Sequence, residues 1–313
     1  MKLDFWKTKS LYQLHSWQTE GLAKALKDLG AEVRYIDEES HHIREMLQRL
    51  WSDPPRQTLS FAPLSLRKDL KIDLPHLQVD SLLPAIPKES ILSPSNQKGI
   101  VYFGSYRDHE SVHRNLYREF SKGIIEKIEI ALRKCLEGMP PEVAFEEEED
   151  KLLGVDIESI YFLLRHLSKA LSTKNMLQTF DSVAIYGSID FPHVYQPVCK
   201  GSWKDWTRNH PSFSYHGPLA AKEVISTMSS YKLILDPTPA YKGVSLRLLQ
   251  GLAAGSEVLT YQNPLVESYF GRGKGVSYVG EEVRSQNIKE GQAILRESFI
   301  WDVRAREILN ALN

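Results

Sequence analysis

Apolar and polar residues follow one another along the chain in a pattern that predicts strands and helices in turn. Leu3 to Trp6 is a short apolar run, and leucines spaced by three and four positions from Leu22 to Leu29 mark one face of a helix that Gly30 would end. From Ala31 to Ile36 the pattern changes to the alternation of a strand. The opening therefore predicts a strand, a helix and a second strand, the unit from which parallel sheets are built.

The same alternation continues through the rest of the chain. A buried strand is predicted at Ile100–Gly104, and a long helical region that contains an acidic run at 146–150 follows it. In the last third, the predicted strands are 213–216, 232–235 and 257–261, and the predicted helices are 221–229, 245–254 and 290–312. Repeated strand–helix pairs are typical of α/β folds with doubly wound parallel sheets.

Residues Pro84–Gln97 are rich in proline and serine, which predicts a linker between two domains. We therefore expect one domain at 1–96 and a second at 97–289, with a helical insertion at about 115–180 in the second. A closing helix is expected at 290–313. A chain of 313 residues is long enough to form two hydrophobic cores.

The charge, the cysteines and the N-terminal segment indicate which partners and which compartment to expect for these domains. The formal net charge of −1 provides no long-range attraction to nucleic acid, so a nucleic acid partner is not favoured. The two cysteines, Cys135 and Cys199, match no metal or redox spacing, which fits free thiols in a reducing compartment. The N-terminus has no apolar leader and no apolar run reaches the length of a membrane span, so a cytoplasmic location is expected.

In doubly wound sheets, ligands bind beyond the carboxyl ends of the strands, so the loops at these ends carry the candidate chemistry. Gly104, Ser105 and Arg107 follow the strand at 100–104. Glycine lets the backbone approach a ligand, and arginine can hold a phosphate through two parallel hydrogen bonds. The alternative is a tight turn with a surface arginine.

A second strand end leads from Asp236 through a glycine loop into a helix. Gly243 and Ser245 precede this helix, whose N-terminus offers free N–H groups and a positive dipole to a diphosphate, and Arg247 adds a fixed charge. The small residues at 251 and 253–255 would let the helix pack closely on the sheet. The alternative is an ordinary capped helix with an exposed arginine.

Two further strand ends hold candidate groups. The turn formed by His216, Gly217, Pro218 and Leu219 could line a slot for a nucleotide base with main-chain groups, or be a simple turn with His216 packed. In the first domain, Asp80 ends a strand, where a carboxylate could act as general base towards an acceptor hydroxyl. Aspartate also commonly caps turns, so this alternative stays open.

The order of these pieces resembles the donor-binding half of GT-B glycosyltransferases, and it is most similar to CgeB-like glycosyltransferases and phage DNA β-glucosyltransferases. The matching segments are Gly104-Ser105-Tyr106-Arg107, Val183–Gly187, His216-Gly217-Pro218, Tyr231–Leu235 and Ser245–Gly255. In addition, Phe299–Arg304 resembles the start of the CgeB-type terminal helix, and Val79–Pro84 is similar to the segment that carries the catalytic aspartate of the phage enzymes.

The resemblance implies a GT-B fold, with two Rossmann-like domains facing across a cleft and a C-terminal helix that crosses back onto the first. It implies transfer of a sugar from a nucleotide-diphosphate sugar, with Arg107 and Arg247 on the diphosphate and the Gly217 turn on the base. Asp80 would be the general base if the reaction inverts, and inversion or retention is left open. A UDP-sugar is the expected co-substrate. No cofactor or metal is obligatory, although Mg²⁺ is compatible. The acceptor is left open between a glycan, a protein and a hydroxymethylated DNA base.

Two alternatives remain. Where the family has a ribose-binding glutamate this chain has Gln250, which lacks the charge for the stronger hydrogen bond and favours a non-catalytic domain that binds sugar nucleotide. The segment His109-Glu110-Ser111-Val112-His113 matches the pattern in which two histidines one helical turn apart bind zinc, which would indicate a zinc-dependent hydrolase.

Overall fold

The structure is a computed structural model that describes residues 1–7, 13–37, 57–60, 76–78, 84–94, 97, 99–106, 110, 120–145, 157–187, 202–281 and 287–312. The chain divides into two compact units, one formed by 1–91 with 293–313 and the other by 92–292. Each unit contains its own parallel sheet. The predicted linker Pro84–Gln97 spans the point at which the chain passes from the first unit to the second.

The sheet of the first unit has the strand order β2-β1-β3-β4, and all of its described neighbours are parallel. Its strands are β1 (Lys2–Lys7), β2 (Glu32–Asp37), β3 (Gln57–Ser60) and β4 (His76–Gln78). The helix α1 (Gln13–Asp28) joins β1 to β2. Shortly after the end of this helix, Gly30 has a φ of 89°, a conformation that favours glycine. The strand–helix–strand opening predicted from the leucine spacing is confirmed.

The second unit has a larger sheet in the order β10-β9-β8-β5-β6-β7, again parallel throughout. Its strands are β5 (Ile100–Phe103), β6 (Ala184–Tyr186), β7 (Ser214–Tyr215), β8 (Leu233–Asp236), β9 (Glu257–Thr260) and β10 (Val276–Tyr278). The helices of this unit are α2 (Lys122–Leu136), α3 (Pro141–Ala144), α4 (Ile157–Leu177), α5 (Trp203–Arg208), α6 (Val224–Met228), α7 (Leu246–Ala253) and α8 (Pro264–Phe270).

Some of these elements differ from the sequence prediction. The helix expected at 221–229 is a 3₁₀ turn, Ala221–Glu223, followed by the short helix α6. α5, α8 and β10 were not predicted. For α8 a signal existed, because Asn263 accepts hydrogen bonds from the N–H groups of Leu265 and Val266 and Pro264 occupies the first helical position, a common way to begin a helix.

The helix α7 packs closely on the sheet, as its small residues predicted. A Cβ on Gly251 would lie 2.6 Å from Cγ2 of Val258 and 3.2 Å from Cγ1 of Ile234. Only glycine permits this distance between the helix and the strands. The prediction for this position is confirmed.

The insertion between β5 and β6 has a hydrophobic core of its own. The helices α2, α3 and α4 bury a shared set of side chains that includes Ile128, Leu132, Cys135, Phe145 and Leu164. Burial raises the pKa of the Cys135 thiol to about 11, because desolvation disfavours the thiolate. Cys135 is therefore a packing residue, while Cys199 lies outside the described residues.

The prediction of one closing helix at 290–313 is wrong, because α9 (Ile288–Ser298) and α10 (Trp301–Leu312) are separate helices. Between them Ile300 forms a parallel bridge with Ile86. The N–H of Ile86 donates to the carbonyl of Phe299 (2.8 Å), and the N–H of Trp301 donates to the carbonyl of Ile86 (3.2 Å). These bonds take backbone groups that an unbroken helix would use for its own turns.

The helix α10 belongs to the first unit and packs on α1. Its Ala305 and Ile308 share a buried cluster with Leu22 and Leu26. Among the described residues, no helix combines the length and the apolar character needed to cross a membrane.

The contact between α1 and α10 predicts that Gly21→Ala destabilises the first unit. A Cβ on the buried Gly21 would overlap the indole ring of Trp301. We expect the free energy of unfolding to fall by about 1–3 kcal/mol through overpacking, which outweighs the roughly 1 kcal/mol by which alanine favours a helix over glycine. The measurement is urea unfolding.

The control is Gly123→Ala in α2, where an added Cβ meets no heavy atom within 4 Å. Its unfolding free energy should stay unchanged or rise by up to about 1 kcal/mol. Equal stability of the two variants would contradict the packing of Trp301 on Gly21.

Candidate functional site

The strand order of the second unit creates a crevice at one defined place. From β5 the chain continues to β6 and β7 on one side of the sheet, and it then returns to β8, β9 and β10 on the other side. β5 and β8 are neighbours, and the direction of winding reverses between them. In open α/β sheets the ligand crevice lies at the carboxyl ends of the two strands that flank this reversal.

The carboxyl ends of β5, β6 and β7 approach one another through three glycines. The N–H of Gly104 donates to the carbonyl of Tyr186 (2.8 Å), and the N–H of Gly187 donates to the carbonyl of Gly217 (3.0 Å). A Cβ on Gly187 would overlap the carbonyl oxygen of Gly104. Gly104, predicted as a place where the backbone approaches a ligand, therefore lies where the backbones of neighbouring strand ends approach each other closely.

Asp236 and Arg247 form a buried ion pair at the end of β8. The carboxylate of Asp236, 1% exposed, accepts from Nη1 of Arg247 at 2.9 Å, and the arginine side chain is 14% exposed. The same carboxylate accepts from the hydroxyls of Thr238 (2.7 Å) and Ser245. Arg247 is thus not the exposed arginine of the alternative interpretation, because its side chain is largely buried and a carboxylate fixes its position.

The guanidinium of Arg247 also lies against Tyr102 and Gly104. Its Cζ is 5.1 Å from the centroid of the Tyr102 ring, a cation–π geometry. A Cβ on Gly104 would lie 3.0 Å from Nη2 of Arg247. The structure therefore places two of the predicted residues, Gly104 and Arg247, side by side at the reversal point between β5 and β8.

Two buried polar groups at this place have no hydrogen-bond partner among the described residues. The hydroxyl of Tyr102 and Nε2 of Gln250 are both unpaired, and these residues are 1% and 4% exposed. Gln250 lies one helical turn after Arg247, on the same face of α7. An unpaired buried donor costs about 1–3 kcal/mol, so such groups point to a missing partner.

The start of α7 combines a cap with open N–H groups. Ser245 is the N-cap residue and its hydroxyl accepts from the N–H of Leu248 at 3.0 Å. For the N–H groups of Leu246 and Arg247, no acceptor is found among the described residues. Gly243, in the loop before this helix, is buried, and its carbonyl accepts a hydrogen bond from Nδ2 of Asn263 at 3.3 Å.

An aromatic stack crosses the ends of β5, β6 and β7. Phe103 stacks on Tyr186 with ring centroids 5.1 Å apart, and Tyr186 stacks on His216 at 4.9 Å. His216 is exposed, and its Nε2 bonds the Ser214 hydroxyl at 2.9 Å. The sequence did not predict this stack, because its three rings come from three separate strands.

The neighbouring Tyr231 hydroxyl lies 3.2 Å from that of Tyr186. Its pKa is raised to about 12, first by burial and then by this hydrogen bond, so the phenol stays protonated at neutral pH. Gly217 has a φ of 88°, which favours glycine at the turn. In the same turn Pro218 is exposed and Leu219 is half-buried, and Ser105 is half-buried after Gly104.

Other predicted residues lie outside the described part of the chain: Asp80, Arg107, His109 and His113. Glu110 is described, and its exposed carboxylate pairs with Nζ of Lys174 at 3.4 Å. Within the described ranges, no group of three His, Cys, Asp or Glu side chains could hold a metal ion.

Comparison with known families covers the strands β6 to β10 of this site, but not β5 with Tyr102 and Gly104. Residues 161–310 match the model of the glycosyl transferase-like family, and this range includes Asp236, Arg247 and Gln250. The comparison with curated proteins gave no match.

Two similar solved structures are both glycosyltransferases by description, and one of them shares the fold of this chain. A glycosyltransferase from Rickettsia africae ESF-5 is similar over 99% of this chain and 97% of that chain, with 10% identity and a TM-score of 0.52. AviGT4, a glycosyltransferase involved in avilamycin A biosynthesis, is similar over 99% and 96%, with 9% identity and a TM-score of 0.48. The likeness to the Rickettsia protein shows a shared fold, and the predicted GT-B class is confirmed. The specific resemblance to CgeB-like and phage enzymes stays a prediction.

The buried pair predicts that Asp236→Ala destabilises the second unit. Arg247 would keep its charge without its carboxylate, and removal of one partner of a buried pair costs about 3–5 kcal/mol. Urea unfolding measures this loss, and the double variant Asp236→Ala/Arg247→Met should recover part of it.

The control is Asp205→Ala, which removes an exposed pair with Arg208 and should cost less than about 1 kcal/mol. Equal losses in the two single variants would show that the pair at Asp236 is not buried in solution.

Proposed function

We propose that this chain transfers a sugar from a nucleoside diphosphate donor to an acceptor hydroxyl. Its family match and its fold support a GT-B glycosyltransferase. The observation that carries the proposal is the Arg247 guanidinium, held by Asp236 beside Gly104 at the reversal point of the second sheet. The nucleotide, the acceptor and the roles of the individual residues are all part of the proposal.

The diphosphate would be bound by fixed N–H groups. Arg247 uses Nη1 for Asp236, while its Nη2 lies beside Gly104. A planar guanidinium held in one orientation can donate two parallel hydrogen bonds to a phosphate. The N–H groups of Leu246 and Arg247 at the start of α7 add donors and the positive end of the helix dipole. These groups support charge neutralisation of the leaving diphosphate without a metal, so Mg²⁺ is not required in this proposal.

The nucleoside would lie on the adjoining strand ends. Gln250 Nε2, buried without a partner, would donate to a ribose hydroxyl. The turn at Gly217, next to the Phe103–Tyr186–His216 stack, would hold the base. UDP is the first nucleotide to test, because uridine is the base expected from the sequence resemblance.

The acceptor side of the reaction is proposed from the sequence. Asp80 would act as general base on the acceptor hydroxyl if the reaction inverts the anomeric carbon. A glycan or a protein acceptor fits the net charge of −1 better than DNA does, since the chain provides no long-range attraction to phosphates.

A thermal-shift series with UDP, GDP, ADP, CDP and dTDP tests the donor site. A ligand that binds only the folded protein stabilises it by about 2.7 kcal/mol when its concentration is 100 times the dissociation constant. We expect one diphosphate to raise the unfolding temperature well beyond the others. If none of the five diphosphates raises the unfolding temperature, the proposed donor site is wrong.

Gln250→Met separates binding from stability. The variant removes a buried N–H donor that has no partner, so the free energy of unfolding should stay the same or rise by about 1 kcal/mol. The affinity for the best diphosphate, measured by calorimetry, should fall by roughly five- to tenfold because a hydrogen bond is lost.

Gln292→Met is the matched control. Gln292 is 3% exposed, and its Nε2 donates to the carbonyls of Leu92 (2.7 Å) and Leu252 (3.0 Å). This variant should lose stability and keep its affinity. Unchanged affinity in Gln250→Met would place Gln250 outside the nucleotide site.

Asp80→Asn tests the proposed base. The amide cannot accept a proton, so transfer should fall by about two to four orders of magnitude, the usual share of general base catalysis. Binding of the diphosphate should not change. Turnover is followed as release of nucleoside diphosphate from the sugar donor, and retained turnover would exclude Asp80 from this role.

The same assay addresses the non-catalytic alternative that Gln250 favours. A domain that only binds sugar nucleotide would bind the diphosphate and yet release none from any donor, either to water or to an acceptor.

A further inference from the structure

We propose that the helical insertion α2–α4 is a brace that holds the loop 237–245 in the conformation needed for donor binding, with Tyr241 as the positioning residue. The inference rests on the proposed donor site, because this loop leads from Asp236 to the start of α7. It assigns a role to a segment that lies outside the doubly wound core.

A hydrogen bond joins the centre of the loop to the middle of α4. The hydroxyls of Tyr241 and Ser168 are 2.8 Å apart. Ser168 is fully buried, and its Oγ also donates to the carbonyl of Arg165 at 3.3 Å. The ring of Tyr241 packs against the hydrophobic core of the insertion. The loop is therefore anchored on the insertion by both packing and a buried hydrogen bond.

Two further contacts connect the insertion to this side of the sheet. A Cβ on Gly138, in the turn after α2, would lie 3.2 Å from Cβ of Ala240, so the turn and the loop are in close contact. The hydroxyl of Tyr261, directly after β9, donates to the carbonyl of Ser172 in α4 at 2.9 Å. Burial raises the pKa of Tyr261 to about 12, so this donor keeps its proton at neutral pH.

Asn263 holds the same loop through a second set of bonds. Its Nδ2 donates to the carbonyls of Ala240 (2.5 Å) and Gly243 (3.3 Å), and the residue is 4% exposed. Near both ends of the loop, Thr238 and Ser245 bond to Asp236. The loop is thus fixed near its ends by Asp236 and between them by Asn263 and by the insertion.

A loop held at all of these points presents its N–H groups in one arrangement before the ligand arrives. The conformational entropy of the loop is then lost during folding and not during binding, which increases the affinity for the ligand. Loss of the attachment to the insertion should loosen the segment 239–243 first, because the ends keep their bonds to Asp236. The effect on donor binding is then indirect, through the start of α7.

Tyr241→Phe tests the brace with little change in packing. In the ligand-free protein, amide hydrogen exchange should become at least several-fold faster in 239–245 and stay unchanged in the strands. The dissociation constant of the best diphosphate from the series UDP, GDP, ADP, CDP and dTDP should rise about three- to tenfold, the range expected for one buried hydrogen bond. Ser168→Ala should reproduce both changes, and the double variant should add little to either single variant.

Tyr161→Phe is the matched control. Tyr161 packs on the same core of the insertion, and its hydroxyl has no hydrogen bond among the described residues. This variant should leave both the exchange and the dissociation constant unchanged.

The outcomes separate the brace from the donor site. Unchanged exchange in 239–245 of Tyr241→Phe overturns the brace, whatever the nucleotide result. Faster exchange with an unchanged dissociation constant overturns its role in donor binding. If none of the five diphosphates binds the wild-type protein, the donor site itself is wrong, and the exchange data then report only on the loop.

Discussion

The buried carboxylate of Asp236 is the constraint on which the site depends. A charge this far from water is tolerated only when other groups satisfy it, and here the partners are Thr238, Ser245 and Arg247. All three come from the segment that follows the strand. The chain must therefore turn back onto the end of β8, and the same bonds set where α7 begins and which way the guanidinium points. Loop path, helix start and arginine orientation form one linked arrangement.

Two glycines, Gly104 and Gly187, lie at the carboxyl ends of β5 and β6 in the same region. A Cβ on Gly187 would overlap the carbonyl oxygen of Gly104, and a Cβ on Gly104 would overlap the hydroxyl of Tyr102. The backbones of β5 and β6 are therefore closely packed at the point where the sheet reverses direction, beside Arg247. The hydroxyl of Tyr102 and Nε2 of Gln250, which have no hydrogen-bond partner among the described residues, lie at this place as well. An oriented cation and unpaired donors are properties of a site for a polar anionic ligand, and they agree with a glycosyltransferase family match over 161–310.

Part of this site was predictable from local sequence, and part was not. Gly104, Gly217, Ser245 and Arg247 lie after strands or at a helix start, where residue type and position mark a candidate binding loop. The role of Asp236 was missed because a polar residue after Leu233–Leu235 reads as a strand end, and nothing in the spacing shows that it will be buried. The link between Tyr241 and Ser168 was equally hidden, since it joins an insertion to a loop of the main sheet.

The sequence by itself determined most of the order of strands and helices, the parallel α/β architecture and the glycines that only a close backbone approach explains, because these follow from periodicity and backbone geometry within short segments. Tertiary structure decided the rest. It broke the closing helix at Ile300, where Ile86 supplies backbone bonds that local propensity does not contain. It also gave the Arg247 guanidinium a buried carboxylate partner, Asp236, which the local sequence did not predict. Local pattern specifies what a residue can do, whereas its burial and its partner depend on segments distant in the chain, whose positions only the folded structure fixes.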